Sequence, residues 1–218
     1  MRAGLAEPSG PVRLVAASSP SSGWEAAPGS WQASVVRVRT ARCRDEISGS
    51  GVIVDGRVLT NVHVVDGGAE VVVTTHDGTD HRVRRMEVSA RVDLAVLTVD
   101  GLATDGGGLD LAAGDQPDTR TDEGLRMGGF PEGGAFTQRS VSVTGLLHGW
   151  AFPDPARAFH LDAAVVGGES GSPIVDGRGR LAGLLYARAL VDGRGLAIGT
   201  KDLREASASL AAKSLTTC

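Results

Sequence analysis

Hydrophobic residues along this chain recur in short runs, most alternating with polar ones, which is the pattern of strands rather than helices. From Ser34 the first series reads SVVRVRTA, GVIVDGRVLT, EVVVTT, HRVRRMEV and DLAVLTV, and Asp55-Gly56 falls where a two-residue hairpin turn is needed. A second series reads LRMGGF, TQRSVSVTGLL, FHLDAAVV, SPIVDGRGRLAGLLYARAL and GLAIG, divided by Gly, Pro and Asp turns at the spacing of sandwiches or barrels. Between them residues 101–123 are too rich in Gly and Asp to supply packed strand over most of their length, and they read as a linker. The pattern predicts an all-β chain in two halves, residues 31–100 and 124–200. From Lys201 the period changes: Leu203, Ala206, Leu210 and Ala211 share a helical face, with Thr200 placed to cap the first turn. Residues 201–218 are therefore expected to form a C-terminal helix and tail. Residues 1–30, rich in Ala, Ser, Pro and Gly without sustained period, are expected to be a disordered or loosely packed arm outside a domain at 31–218.

Composition refines this picture. At 218 residues with 41% hydrophobic but only 4% aromatic, the core must be built from Val, Leu, Ile and Ala. A net charge of -4 without any basic run leaves no electrostatic footprint for nucleic acid. No apolar run approaches the roughly 20 residues that span a bilayer, and no signal-peptide core is visible, so no membrane span is expected. The two cysteines, Cys43 and Cys218, are either one long-range disulfide or two free thiols. A bridge would close nearly the whole domain, for which the chain-entropy model gives roughly 5 kcal/mol, and would imply an oxidising compartment.

Amide hydrolysis at neutral pH needs a nucleophile stronger than a free hydroxyl. Serine becomes one when a base takes its proton and a third group holds that base. Ser170 sits in GGESGSP, where Gly168 and Gly171 allow a sharp turn whose amides face a bound carbonyl. His63 lies in LTNVHVV, read as a strand end, and Asp93 opens DLAVLTV at a strand boundary. Each motif alone is ordinary; together, in the order His, Asp, Ser, they point to a catalytic triad. Ser172 in place of a second glycine, without any alternating βα pattern, sets the chain apart from α/β-hydrolases.

Through GSGVIVDGRVLTNVHVV, DLAVLTVD, LRMGGFP, LDAAVVGGESGSP, LAGLLYAR and GLAIGTKDL, about residues 32–203, the sequence resembles trypsin-like serine peptidases of the bacterial HtrA-like kind. A closer likeness is to the protease domain of MarP-type acid-resistance serine proteases. The resemblance implies two six-stranded antiparallel β-barrels of the chymotrypsin type with a C-terminal helix, and a serine endopeptidase without metal or cofactor, acting on peptide or protein substrates. It implies Ser170 as nucleophile, His63 as acid and base, Asp93 as its partner, and the amides of Gly168 and Ser170 as the oxyanion hole. It also implies a Cys43–Cys218 bridge, and hints that the arm controls access to the cleft. The base of the specificity pocket, six residues ahead of the nucleophile, becomes Ala164. With Val165, Val166, Leu185, Leu196 and Ala197 as walls, a small or medium apolar residue is expected before the scissile bond. The sequence departs from the family pattern at Glu169, Ser172 and Val62, and no PDZ domain or membrane anchor is visible.

A charge at Glu169, beside the oxyanion hole, either weakens stabilisation of the developing charge or is paired with an arginine that the sequence cannot place. It is the main support for an alternative, a catalytically impaired module that binds peptides on an exposed strand near Leu184–Tyr186. His76 and His81 around DGTD read as exposed residues of a hairpin turn, and His148 and His160 as surface or structural residues without visible partners. Arg82, Arg84 and Arg85 read as a solvated face.

Overall fold

The computed structural model describes residues 30–102, 108–113, 124–147 and 158–218. Residues 1–29 of the expected arm, most of the expected linker and His148 lie outside them.

The first half folds as β1 (Val35–Ala41), β2 (Glu46–Val54), β3 (Arg57–Thr60), β4 (Glu70–Thr74), β5 (Asp80–Ser89) and β6 (Ala95–Val99). They run β5-β4-β1-β2-β3-β6, and β6 pairs back onto β5, closing a six-stranded antiparallel barrel. Asp55 and Gly56 both take positive φ, 49° and 70°, as the two-residue turn between β2 and β3 demands. The interior is filled by Val36, Val38, Val58, Val71, Val73 and Leu97, branched or bulky side chains that pack well on a pleated surface.

The second half supplies β7 (Leu125–Gly129), β8 (Thr137–Val141), β9 (Val143–Leu147), β10 (Ala158–Ala164), β11 (Pro173–Val175), β12 (Leu181–Arg188) and β13 (Arg194–Gly199). Their order is β8-β7-β11-β12-β13-β10-β9, and β9 does not pair back onto β8. The two-barrel fold is present, but the second sheet is a curled half-barrel of seven strands rather than a closed one of six. The run TQRSVSVTGLL is two strands, divided at Ser142, on opposite edges of that sheet. Asp162 pins the corner: its carboxylate accepts the Ser142 N–H at 2.8 Å and its own N–H donates to the Ser142 carbonyl at 3.0 Å.

A third apolar cluster lies between the halves. Val52, Leu59, Leu94 and Val96 of the first meet Phe130, Val175, Leu184 and Ile198 of the second. Each such side chain contributes about 1.5–3 kcal/mol on full burial, which fixes how the two barrels face each other.

The tail departs from expectation. After a short helical turn, α1 (Val62–Val65), the second helix is α2 (Thr200–Ser207), with Gly199 at its N-cap and Thr200 already inside it. Leu203 and Ala206 are buried as expected, but Leu210 and Ala211 belong to β14 (Leu210–Lys213), which pairs with Val88 and Ser89 of β5. β5 pairs with β4 over Asp80–Arg82, and β14 takes up Met86–Ser89. The Thr216 N–H donates to the Gly68 carbonyl at 2.7 Å, and Cys218 is disulfide-bonded to Cys43, with their Cα atoms 5.4 Å apart. An open backbone edge and a crosslink outweigh a helical period of four residues.

Candidate active site

His63 and Asp93 both come from the first barrel. The strand before His63 ends at Thr60, so the histidine stands in α1 rather than on a strand end, and Asp93 lies in the turn two residues before β6. The Asp93 side chain is 6% exposed and grips His63 twice. Its Oδ2 is 2.5 Å from His63 Nδ1, and its Oδ1 accepts the His63 backbone N–H at 3.1 Å. A carboxylate only accepts, so Nδ1 carries the proton and Nε2 of the neutral ring is left as a base. The fully buried Asn61 donates from Nδ2 to the Asp93 carbonyl at 2.7 Å, tying the two turns together.

Ser170 lies between β10 and β11. Gly168 and Gly171 take φ of 84° and 86°, and a Cβ would strike the Phe130 carbonyl at the first and the Ser50 carbonyl at the second. Glycine is required at both. In this loop the amides of Glu169, Gly171 and Ser172 donate to Val166 O (3.4 Å), Leu185 O (2.8 Å) and Glu169 O (2.9 Å). Among the described residues the amides of Gly168 and Ser170 donate to no protein group.

Ser50, on β2 of the first barrel, joins the two parts. Its N–H donates to Ser170 O at 2.7 Å, its Oγ donates to Gly168 O at 2.8 Å and accepts the Phe130 N–H at 3.0 Å, and its carbonyl accepts from Thr60 Oγ1 at 2.7 Å. A Cβ on neighbouring Gly49 would lie 2.6 Å from Val64 of α1 and 3.2 Å from Ser170 O. The histidine's turn and the serine's loop therefore flank one glycine. From the second barrel, burial pushes the Tyr186 phenol up, and the Asp93 charge adds to the shift. Among the described residues no hydrogen bond joins His63 to the Ser170 hydroxyl.

Residues 49–184 match the family model for the trypsin-like peptidase domain. This chain belongs to the trypsin-like peptidase domain family. It is 34% identical over 177 residues to the "Putative serine protease HhoA" of Synechocystis, covering 75% of this chain and 43% of that protein. It is 28% identical over 169 residues to the serine protease Rv3671c of Mycobacterium tuberculosis, covering 73% and 41%. The chain thus spans about two fifths of the length of these relatives. The active-form crystal structure of the Rv3671c protease superposes with a TM-score of 0.69 at 26% identity over 85% of this chain and 84% of that one. The HtrA-type protease AlgW with a tripeptide gives 0.67 at 25% identity, covering 82% and 60%.

Within this trypsin-like peptidase Glu169 has its arginine. The side chain is 2% exposed, and Oε1 lies 2.6 Å from Arg139 of β8. Its Oε2 accepts the Val166 N–H at 2.9 Å, while Arg139 also donates to the Ala164 carbonyl at 3.1 Å.

The residues named for the specificity pocket separate. Ala164 and Val166 are exposed. Val165, Leu185 and Ala197 pack together inside the second barrel, and Leu196 points to the other face of its sheet, into the seam between barrels. Adjacent strand residues point to opposite faces, so Leu196 and Ala197 cannot line one pocket. The stretch named for strand addition is not an exposed edge, because Leu184 pairs with both Pro173 and Ile198 and Tyr186 is buried at a bulge.

His160 does have partners, Asp192 at 3.0 Å and Thr144 at 2.7 Å. His76 and His81 are half-buried rather than exposed, and His81 is held by Thr75 at 3.1 Å and the Asp100 carbonyl at 2.9 Å. Arg82, Arg84 and Arg85 are exposed and paired with Glu70, Asp100 and Glu87, and the consecutive Arg84 and Arg85 are both exposed where a register shift interrupts β5.

Sequence reasoning gave no role to Ser50 or Asn61. Both stood inside quoted motifs, GSG and LTNVH, but nothing in a strand pattern says that a small polar residue will face a loop from the other barrel.

Proposed function

We propose that this chain is a serine endopeptidase in which Ser170 attacks, His63 moves the proton and Asp93 holds the ring. The observation that carries the reading is the pairing of a base fixed in one tautomer with a serine loop whose amides at 168 and 170 have no internal acceptor. Ser170 Oγ bonds to the substrate carbonyl carbon as its proton passes to His63 Nε2. The carbonyl oxygen, now anionic, accepts from the Gly168 and Ser170 amides. The C–N bond breaks, the amine leaves with the proton from His63, and an ester on Ser170 remains. Water then attacks that ester, with His63 again taking and returning the proton. The hydrogen bond from the Ser170 hydroxyl to His63 Nε2 that the first step needs is of the kind that tightens in the Michaelis complex.

A small or medium apolar residue before the scissile bond remains the expected preference, because Ala164 offers no carboxylate for a basic side chain. The peptide-binding alternative loses its main support, since Glu169 is neutralised by Arg139.

A fluorophosphonate probe tests the reading. We expect stoichiometric labelling mapped to Ser170 in the full chain and none in Ser170→Ala. A folded sample left unlabelled at neutral and mildly acidic pH would overturn it.

A further inference from the structure

We propose that Arg139 is a positioning residue for this hydrolysis, holding the Ala164–Ser170 segment in the shape that presents the Gly168 and Ser170 amides. The proposal rests on the peptidase reading above. Glu169 sits between those two amides, and its carboxylate is almost wholly removed from water. An unpaired charge there would be costly: it would draw water in, take up a proton or swing the loop outward. Arg139 prevents all three. One of its terminal nitrogens meets Glu169 and the other the Ala164 carbonyl, so a single rigid fork spans both ends of the segment.

The origin of that arginine matters as much as its charge. Among the described residues β8 is an edge strand of an open sheet, paired only with β7, so no backbone ladder there ties it to the loop after β10. The guanidinium supplies that tie, with its side chain one-third exposed. The Val166 N–H completes the cradle on the second carboxylate oxygen. The loop that carries the nucleophile is thus closed by a side chain from the sheet's free edge.

The test compares Arg139→Met, Arg139→Lys, Glu169→Gln and the double variant Arg139→Met/Glu169→Gln in the full chain. Readouts are peptide turnover, fluorophosphonate labelling and thermal unfolding. Removing one partner of a buried charge pair should lower kcat about 100-fold in Arg139→Met with KM changed less than about threefold. The double variant, which has no charge left to compensate, should return to within about tenfold of wild type. Arg139→Lys keeps the charge but lacks the fork, and should fall between. Two results would overturn the proposal while leaving the peptidase reading intact: Arg139→Met turning over like a labelled wild type, or a folded double variant no better than Arg139→Met. A wild type that is neither labelled nor active removes the peptidase reading, and the proposal with it.

Discussion

The two barrels hold their shares of the site by different means. In the first, the sheet closes on itself and the His63–Asp93 pair is set by short turns at its rim, with Asn61 and the His63 backbone amide as local ties. In the second, the sheet stays open and the Ser170 loop, four of whose residues from 167 to 171 are Gly or Ser, is held from outside by Ser50 of the other barrel and Arg139 of a distant edge. An imidazole needs only one buried carboxylate to fix its tautomer. A glycine-rich loop has no side chains to pack and much backbone entropy to lose, so its shape must be imposed by neighbours.

Disabling the first barrel's contribution should give the largest effect. In Asp93→Asn the amide offers both a donor and an acceptor, so the ring is no longer held with its proton on Nδ1. By analogy with triads of this geometry, kcat should fall about 10⁴-fold while the fold and the Ser170 loop are retained. Steady-state turnover with circular dichroism would check this, and a loss below about tenfold would mean that His63 is oriented by something other than Asp93.

The same contrast explains what was legible in the sequence. The closed barrel could be read almost strand by strand, because its alternating valines and the Asp55-Gly56 turn are local signals. The division of TQRSVSVTGLL at Ser142 could not, since the break is made by Asp162, twenty residues on. β14 was hidden because Leu203, Ala206, Leu210 and Ala211 fit a helix equally well, and the free edge of β5 decides between them. For the candidate site, motif and order single out His63, Asp93 and Ser170, the residues of the proposed mechanism, whereas the residues expected to wall one pocket lie apart. Leu196 and Ala197 are neighbours in sequence and lie on opposite faces in space. The partner of Glu169 lay thirty positions away, on β8.

Ser50 allows the comparison to be sharpened, because a residue of the first barrel serves the second. Ser50→Ala keeps the N–H bond to Ser170 O but removes the two hydroxyl bonds, the one donated to the half-buried Gly168 carbonyl and the one accepted from the Phe130 N–H. An unsatisfied buried group costs about 1–3 kcal/mol, so kcat/KM should fall roughly tenfold to a hundredfold, with a modest drop in stability. Labelling by the fluorophosphonate should slow in proportion. Unchanged kinetics in a destabilised Ser50→Ala protein would show that the serine supports the fold and not the loop's shape.

The smallest effects concern two hairpin turns, one in each half, that are both organised by an aspartate. Asp176, between β11 and β12, is 5% exposed and accepts from the Arg180 guanidinium at 2.7 and 2.9 Å. Burial alone would raise its carboxyl, but the Arg180 hydrogen bonds and charge prevail and hold it below the ordinary range. Asp77, between β4 and β5, is exposed, and the hydrogen bond from Thr75 leads the causes that lower it to about 2. Both carboxyls are depressed on folding, so both contributions are whole above the unfolded value near pH 4 and fade as pH falls below it, for Asp77 through about 2. Asp176→Asn should cost about 2 kcal/mol at pH 7, as a buried hydrogen bond to a charge does. Asp77→Asn should cost about 0.5 kcal/mol, because its turn is solvated. Urea unfolding at pH 7 and pH 3 would measure both, and each variant should lie closer to wild type in acid. Equal losses at pH 7 would mean that the two halves do not differ in how far they depend on a buried charge.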